Sequence, residues 1–236
     1  MHTSPTAAIV VYQGVTVEET EVIRFVLSRL PGIRTVTVGT TRGTFAGSGG
    51  VETAEATLAE IGNPEIVAVP GGIGSHLRTE IADWLQTLSP RWILASSTGT
   101  TVLAAAGLLR DATAATHWLA GRLLEQYGAH PSRERVVVDG PIVTCSGTTS
   151  AFRGALVIAE AYGGAELVQR IRAEAPARGR PEPPPQPFWL RLWNTIRRSG
   201  QEAEPAHPTS HPVDDIEVLD LGVIILLPPR DRVDDT

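Results

Sequence analysis

The sequence contains no lysine: all 20 of its basic residues are arginine. That excludes Schiff-base catalysis, pyridoxal phosphate held through an imine, and the lysine of a phosphate-binding P-loop. Cysteine is almost as scarce. A single Cys145 leaves no intrachain disulfide and no multi-cysteine zinc or iron–sulfur site. No apolar run approaches the ~20 residues of a membrane span. Residues 1–6 are polar and Ala7–Tyr12 is too short for a signal-peptide core, so a cytoplasmic protein is expected. Net charge is −6, the wrong sign for a nucleic-acid surface.

What remains is a chain that is 42% hydrophobic and long enough for one sizeable domain plus an appendage. Ala7–Tyr12 and Ile66–Val69 are continuous apolar runs of strand length, the mark of strands covered on both faces. Ile33–Val38, Trp92–Ala95, Val136–Asp139 and Pro141–Cys145 supply further strands, the last two joined at Asp139-Gly140. Helical spacing marks Glu18–Leu30, stopped by Pro31-Gly32, then Ile81–Leu88, Ala151–Ala161 and Ala165–Ala173. Gly-rich 43–50 reads as a loop or hairpin. Strands alternating with helices predict an α/β fold, a mostly parallel sheet flanked by helices in a three-layer, flavodoxin-like sandwich.

Composition divides the chain into an α/β domain at 1–174, a linker at 175–187 and a C-terminal extension at 188–236. Six prolines between Pro176 and Pro187 favour extended linker. Phe188–Ser199 then places Phe188, Trp189, Leu192, Trp193 and Ile196 on one helical arc. This arc suits a cover for its own domain or for a second subunit better than a membrane-surface anchor or a partner clamp. Ile216–Leu227 suits one strand or two.

Chemistry concentrates where strand Trp92–Ala95 bends at Ser96-Ser97-Thr98-Gly99 into an Ala-, Val- and Leu-rich helix. Orphan N–H groups and the positive end of the helix dipole meet at such a corner, which presents Ser97. Pro70-Gly71-Gly72 ends another strand, and its glycines admit close backbone approach. Glu18-Glu19 opens the first helix, and Thr116-His117 can reach the same mouth. In an open α/β sheet these points converge at the carboxyl ends of the strands.

Four motifs in order resemble the ThiJ/PfpI superfamily, whose fold is of the type 1 glutamine amidotransferase kind. They are Val69-Pro70-Gly71-Gly72, Ala95-Ser96-Ser97-Thr98-Gly99, Ala115-Thr116-His117-Trp118 and Val143-Thr144-Cys145-Ser146-Gly147, and the likeness covers roughly residues 7–174. Within the superfamily the chain is most similar to isocyanide hydratases and to the ligand domains of AraC-type regulators. The resemblance implies a cofactor-independent enzyme, a homodimer, and a small-molecule substrate. It places Ser97 where relatives carry a nucleophilic cysteine and Glu19 where an acid pairs with it. The amides of Gly72 and Thr98 take the place of an oxyanion-stabilising pair, and His117 lies near the nucleophile. Gly71, Ile73 and His76 complete the expected ligand contacts.

Serine for cysteine changes the chemistry. A thiol near pKa 8.5 can ionise at a helix N-terminus, whereas an alcohol needs a general base within reach. The expectation is acid/base work on a small electrophilic or carbonyl-type molecule: hydration, hydrolysis, or lyase or cyclisation proton transfer. Glu19 shuttles the proton while Ser97 and backbone amides hold a developing anion. The alternative is a non-catalytic binding or regulatory module. Glu18 reads as a solvated helix start, His117 as a pocket contact or a structural histidine, and His76 as a cap or an entrance residue. Cys145 reads as packing inside a strand. A metal site from His76, His117 and Glu19 has no ligand spacing behind it and is not expected. Arg153 stands where relatives often carry an acid.

Overall fold

The computed structural model describes residues 5–175 and the backbone of two strands at 216–219 and 223–226. The chain divides into two units, Met1–Ala173 and Glu174–Thr236. In the first, β1 (Thr6–Val10) leads through α1 (Val17–Leu27) to β2 (Arg34–Gly39). A hairpin of β3 (Gly43–Gly47) and β4 (Gly50–Ala54) follows, then β5 (Ala56–Thr57) and β6 (Ile66–Val69). Next come α2 (Thr79–Gln86), β7 (Trp92–Ser96) and α3 (Thr100–Ala105), with a single 3₁₀ turn over Ser97–Gly99 between the last two. The remaining elements are β8 (Thr113–Ala114), α4 (Gly121–Gln126), β9 (His130–Pro131), β10 (Val136–Asp139), β11 (Ile142–Cys145) and α5 (Thr148–Glu174).

Seven strands form the central sheet in the order β10-β11-β7-β6-β1-β2-β5. All pair in parallel except β10, which runs antiparallel to β11. Direction of winding reverses between β1 and β6, since the chain leaves β1 toward β2 and returns to build β6, β7 and β11 on the other side. A crevice therefore opens beyond the carboxyl ends of β1 and β6, where neither following loop crosses over its neighbour.

Strand periodicity explains two separate cores. Ala8, Val10, Val67, Val69, Ile93 and Ala95 face one side, packed with α2 and α3 residues such as Ile81, Leu85 and Leu103. Their sequence neighbours Ala7, Ile9, Ile66, Ala68 and Leu94 face the other, packed with Ile23 and Leu27 of α1 and Ile158 of α5. Alternate residues of each strand thus enter opposite cores. This is why the runs read as continuously apolar.

Two expected helices, 151–161 and 165–173, are one span interrupted at Gly164, whose φ of 65° and ψ of −171° break the helix. The Gly-rich 43–50 segment is the β3–β4 hairpin. Short β5, β8, β9 and α4 lack the length to show a period in the sequence. In the second unit, β12 (Ile216–Leu219) pairs antiparallel with β13 (Val223–Leu226), so Ile216–Leu227 holds two strands. The linker at 175–187 and the helix expected at 188–199 lie outside the described residues, apart from Ala175.

Gly99 lets α3 seat against the sheet: a Cβ there would lie 2.3 Å from the Val69 carbonyl oxygen and 2.7 Å from that of Pro70. Both obstacles are backbone and cannot rotate away. Gly99→Ala is expected to cost about 1–3 kcal/mol of stability through forced displacement of the elbow. Denaturant unfolding of the variant measures it.

Candidate active site

The elbow after β7 is strained. Ser97 has φ 54°, the left-handed region that a side chain rarely adopts. Neighbouring hydroxyls hold it there. Thr116 Oγ1 donates to the Ser97 carbonyl at 2.9 Å, and the next carbonyl, Thr98, accepts from Thr101 Oγ1 at 2.6 Å and Ser75 Oγ at 3.0 Å. Ser97 keeps 8% of its surface exposed. It sits at the edge of the packed interior.

Glu19 meets the elbow from the first turn of α1. Its Oε2 accepts the Gly71 amide at 2.8 Å and the Ser96 hydroxyl at 2.5 Å. A Cβ built on Gly71 would stand 3.0 Å from Ser97 Oγ and 3.1 Å from Glu19 Oε2. One point above this glycine thus touches both side-chain oxygens, and any larger residue would fill it. Glu18, one position earlier, is exposed.

Burial is the largest influence on Glu19 and pushes its pKa above the usual carboxylate range. Hydrogen bonds from Ser96, the Gly71 amide and Ser97 pull the other way, and Glu18 adds a small upward push. The carboxyl is thereby held toward its neutral, proton-donating form. Cys145 lies on β11 opposite Ser96, wholly buried. Desolvation, with Glu19 adding to it, raises its thiol to about 12. It is a packing residue and no substitute for the nucleophile.

Gly72 departs from its expected part. Its amide donates to Thr98 Oγ1 at 2.9 Å, and that hydroxyl donates in turn to the Gly72 carbonyl at 2.9 Å. The Gly72 N–H is therefore engaged by the Thr98 side chain instead of facing an oxyanion, and that of Gly71 is engaged by Glu19. Ile73 is half exposed beside this loop, its amide bonded to the Gly14 carbonyl at 2.9 Å. His76 occupies the 3₁₀ turn Ser75–Leu77, partly buried.

His117 caps another turn, its Nδ1 accepting the Leu119 amide at 3.4 Å. Together with Thr116 and Trp118 it lines a cleft of about 550 Å³. Among the described residues no three His, Cys, Asp or Glu side chains gather as a metal site requires. Arg153 points out from α5 as an exposed residue.

Sequence reasoning missed Ser96. The signal was present, because a strand places alternate residues on one face. Leu94 faces the core shared with α1, so Ser96 faces α1 as well. Ser75 carried no comparable signal, since the loops bring it to the Thr98 carbonyl from 23 residues away, while Thr101 bonds that carbonyl from three residues on in the same turn.

The sequence profile of the DJ-1/PfpI family matches residues 6–161. The chain belongs to the DJ-1/PfpI family. Isonitrile hydratase of Pseudomonas putida is 35% identical over 115 residues, 47% of this chain and 50% of the relative, so the match spans half that relative's length. Among solved structures, a ThiJ/PfpI family protein from Pseudomonas syringae superposes with a TM-score of 0.70 at 21% identity, covering 84% of this chain and 87% of that one. Drosophila melanogaster DJ-1beta gives 0.64 at 24% identity, covering 72% and 97%. An AraC family transcriptional regulator from Pseudomonas putida also gives 0.64, at 14% identity, covering 72% and 98%. These structural likenesses concern the fold of the DJ-1/PfpI domain. Among its described residues no helix is long and apolar enough to cross a membrane.

The raised pKa of Glu19 has a signed consequence for stability. A carboxyl that binds its proton more tightly when folded loses stability as pH rises from its ordinary range through its folded value. The difference in unfolding free energy between the protein and its Glu19→Gln variant is expected to drift in the variant's favour across that window. A pH series of denaturant melts checks this, and a flat difference would contradict it.

Proposed function

We propose that this DJ-1/PfpI protein is a cofactor-independent enzyme that hydrates a small electrophile by acid/base chemistry, an isonitrile being the first candidate. The observation that carries the reading is the Glu19 carboxyl, buried, held toward neutrality, and sharing the Gly71 corner with the Ser97 hydroxyl. The likeness to isonitrile hydratase supports the choice of substrate.

An isonitrile, R–N≡C, ends in a carbon that accepts a proton. Glu19 Oε2 already receives two donors, so its proton belongs on the other oxygen. Glu19 gives that proton to the terminal carbon, directly or through the Ser97 hydroxyl, and a nitrilium cation forms. Water, oriented by Ser97 Oγ, adds to the same carbon and returns a proton to the Glu19 carboxylate. The imidic acid then tautomerises to R–NH–CHO, and the sum is isonitrile plus water giving formamide. Because the Gly72 amide of the expected Gly72–Thr98 pair is engaged by Thr98 Oγ1, proton delivery fits the site better than the anion-holding role expected from the motifs. Slight exposure of Ser97 suits a slender reacting group. A homodimeric, cytoplasmic enzyme is part of the same reading, and sedimentation tests the dimer.

A second reading, a non-catalytic binding module, is favoured by one observation. The corner presents an alcohol, and both adjacent glycine amides already have partners.

Glu19→Gln and Ser97→Ala are each expected to lower kcat/KM for isonitrile hydration by about 10²–10⁴, measured as formamide production by mass spectrometry. Activity requiring neutral Glu19 should fall as pH rises through its folded value, and Glu19→Gln should lose that limb. Ser97→Cys should gain alkylation by iodoacetamide while buried Cys145 stays unmodified. Undiminished turnover in both of the first two variants, or none in the parent protein, would reject the enzymatic reading and leave the binding module.

A further inference from the structure

The cleft beside the elbow is lined by neither Glu19 nor Ser97, and its lining is specific. Thr116 forms part of its wall and also donates to the Ser97 carbonyl, so the cleft begins one side chain from the reacting corner. The segment leading into β10 also lines it, and is fastened to the end of β11 by the Ser146 amide bonding the Arg135 carbonyl at 3.0 Å. Both Arg133 and Arg135 line the cleft with Glu134 between them. Among the described residues neither guanidinium has a hydrogen-bond or ion-pair partner.

The other wall is aromatic. Trp118 is 79% exposed although tryptophan is highly buried on average, and its ring stands 5.7 Å from that of His117. A large indole left in water beside two uncommitted guanidiniums forms a bipartite surface, flat and apolar at one end and cationic at the other. Bidentate hydrogen bonding makes arginine the residue suited to planar carboxylates.

We propose that this cleft is the specificity subsite, and that the substrate is a carboxylate monoanion whose aromatic or apolar body lies against Trp118 while Arg133 and Arg135 take its carboxylate. The proposal rests on the reading of Ser97 and Glu19 as the reacting end, and supplies the class of molecule they act on. Glu134 sets the charge: two cations less one anion leave a single positive charge, which suits a monoanion and penalises a phosphate dianion.

Titration calorimetry with benzoate, benzamide and phenyl phosphate on the full-length protein tests this. Benzoate should bind at least tenfold more tightly than benzamide and more tightly than phenyl phosphate, with affinity falling as salt rises. The double variant Arg133→Gln/Arg135→Gln should remove the preference for benzoate, Trp118→Ala should weaken all three probes, and Glu134→Gln should narrow the gap to phenyl phosphate. All four positions are exposed, and circular dichroism confirms that the variants are folded. Binding should persist in Ser97→Ala and Glu19→Gln, which separates this subsite from the chemistry. Equal affinity for benzoate and benzamide, binding of neither, or an unchanged preference in the double arginine variant would overturn the subsite. If benzoate binds as expected while no isonitrile is turned over, the enzymatic reading fails and the subsite stands; turnover of phenyl isocyanide and 4-isocyanobenzoate at equal kcat/KM would overturn the subsite alone.

Discussion

Everything around the site depends on a carboxyl group kept out of water. Glu19 is 3% exposed, and one of its oxygens joins three parts of the chain: the start of α1, the loop after β6 and the end of β7. An ionised carboxylate at such a place would carry a heavy desolvation penalty, relieved in part by the Gly71 and Ser96 donors. The neutral acid avoids the penalty but keeps a proton to give. Folding needs this group as well: an apolar residue in its place would escape the desolvation penalty but leave the buried Gly71 amide and Ser96 hydroxyl without an acceptor.

The elbow is the second half of that arrangement. A serine at φ 54° stores strain of order 1–3 kcal/mol, which persists only where neighbours overdetermine it. Here they do. Thr116, Thr101 and Ser75 bond consecutive carbonyls of the turn, while Gly71 and Gly99 give up their side chains so that strand ends and turn can touch. The parallel sheet underneath supplies the rigidity, with apolar cores on both faces fixing β6 and β7 in register. That register brings Gly71 and Ser97 side by side.

The sheet and its helices were legible because they rest on period and length. Buried parallel strands have no polar face, so Ile66–Val69 and Ala7–Tyr12 declare themselves, and Gly164 is a visible helix breaker. The corner at Ser97 and the acid at Glu19 were legible from motifs that combine glycine spacing with a strand–helix switch. What the chain did not disclose is where loop hydroxyls go. Nothing in the sequence ties Thr98 Oγ1 to the Gly72 peptide, because that bond depends on how two loops 26 residues apart are packed. The cleft beside Trp118 was hidden for the same reason: α4 and β9, which line it through Gly121 and Pro131, are each too short to show a pattern.

That hidden Thr98–Gly72 bond also bears on the exchange of sulfur for oxygen. A thiolate at this corner would be an anion, and anions at a strand–helix turn want free amides. In this chain the corner holds an alcohol next to an acid whose pKa burial raises. The two glycine amides serve the fold there, one bonding Thr98 and the other Glu19. The alcohol at the corner, the raised acid and the engaged amides are then one hydrogen-bonded arrangement. Proton transfer, with charge appearing on the substrate's carbon instead of on a protein sulfur, is the chemistry such an arrangement can support.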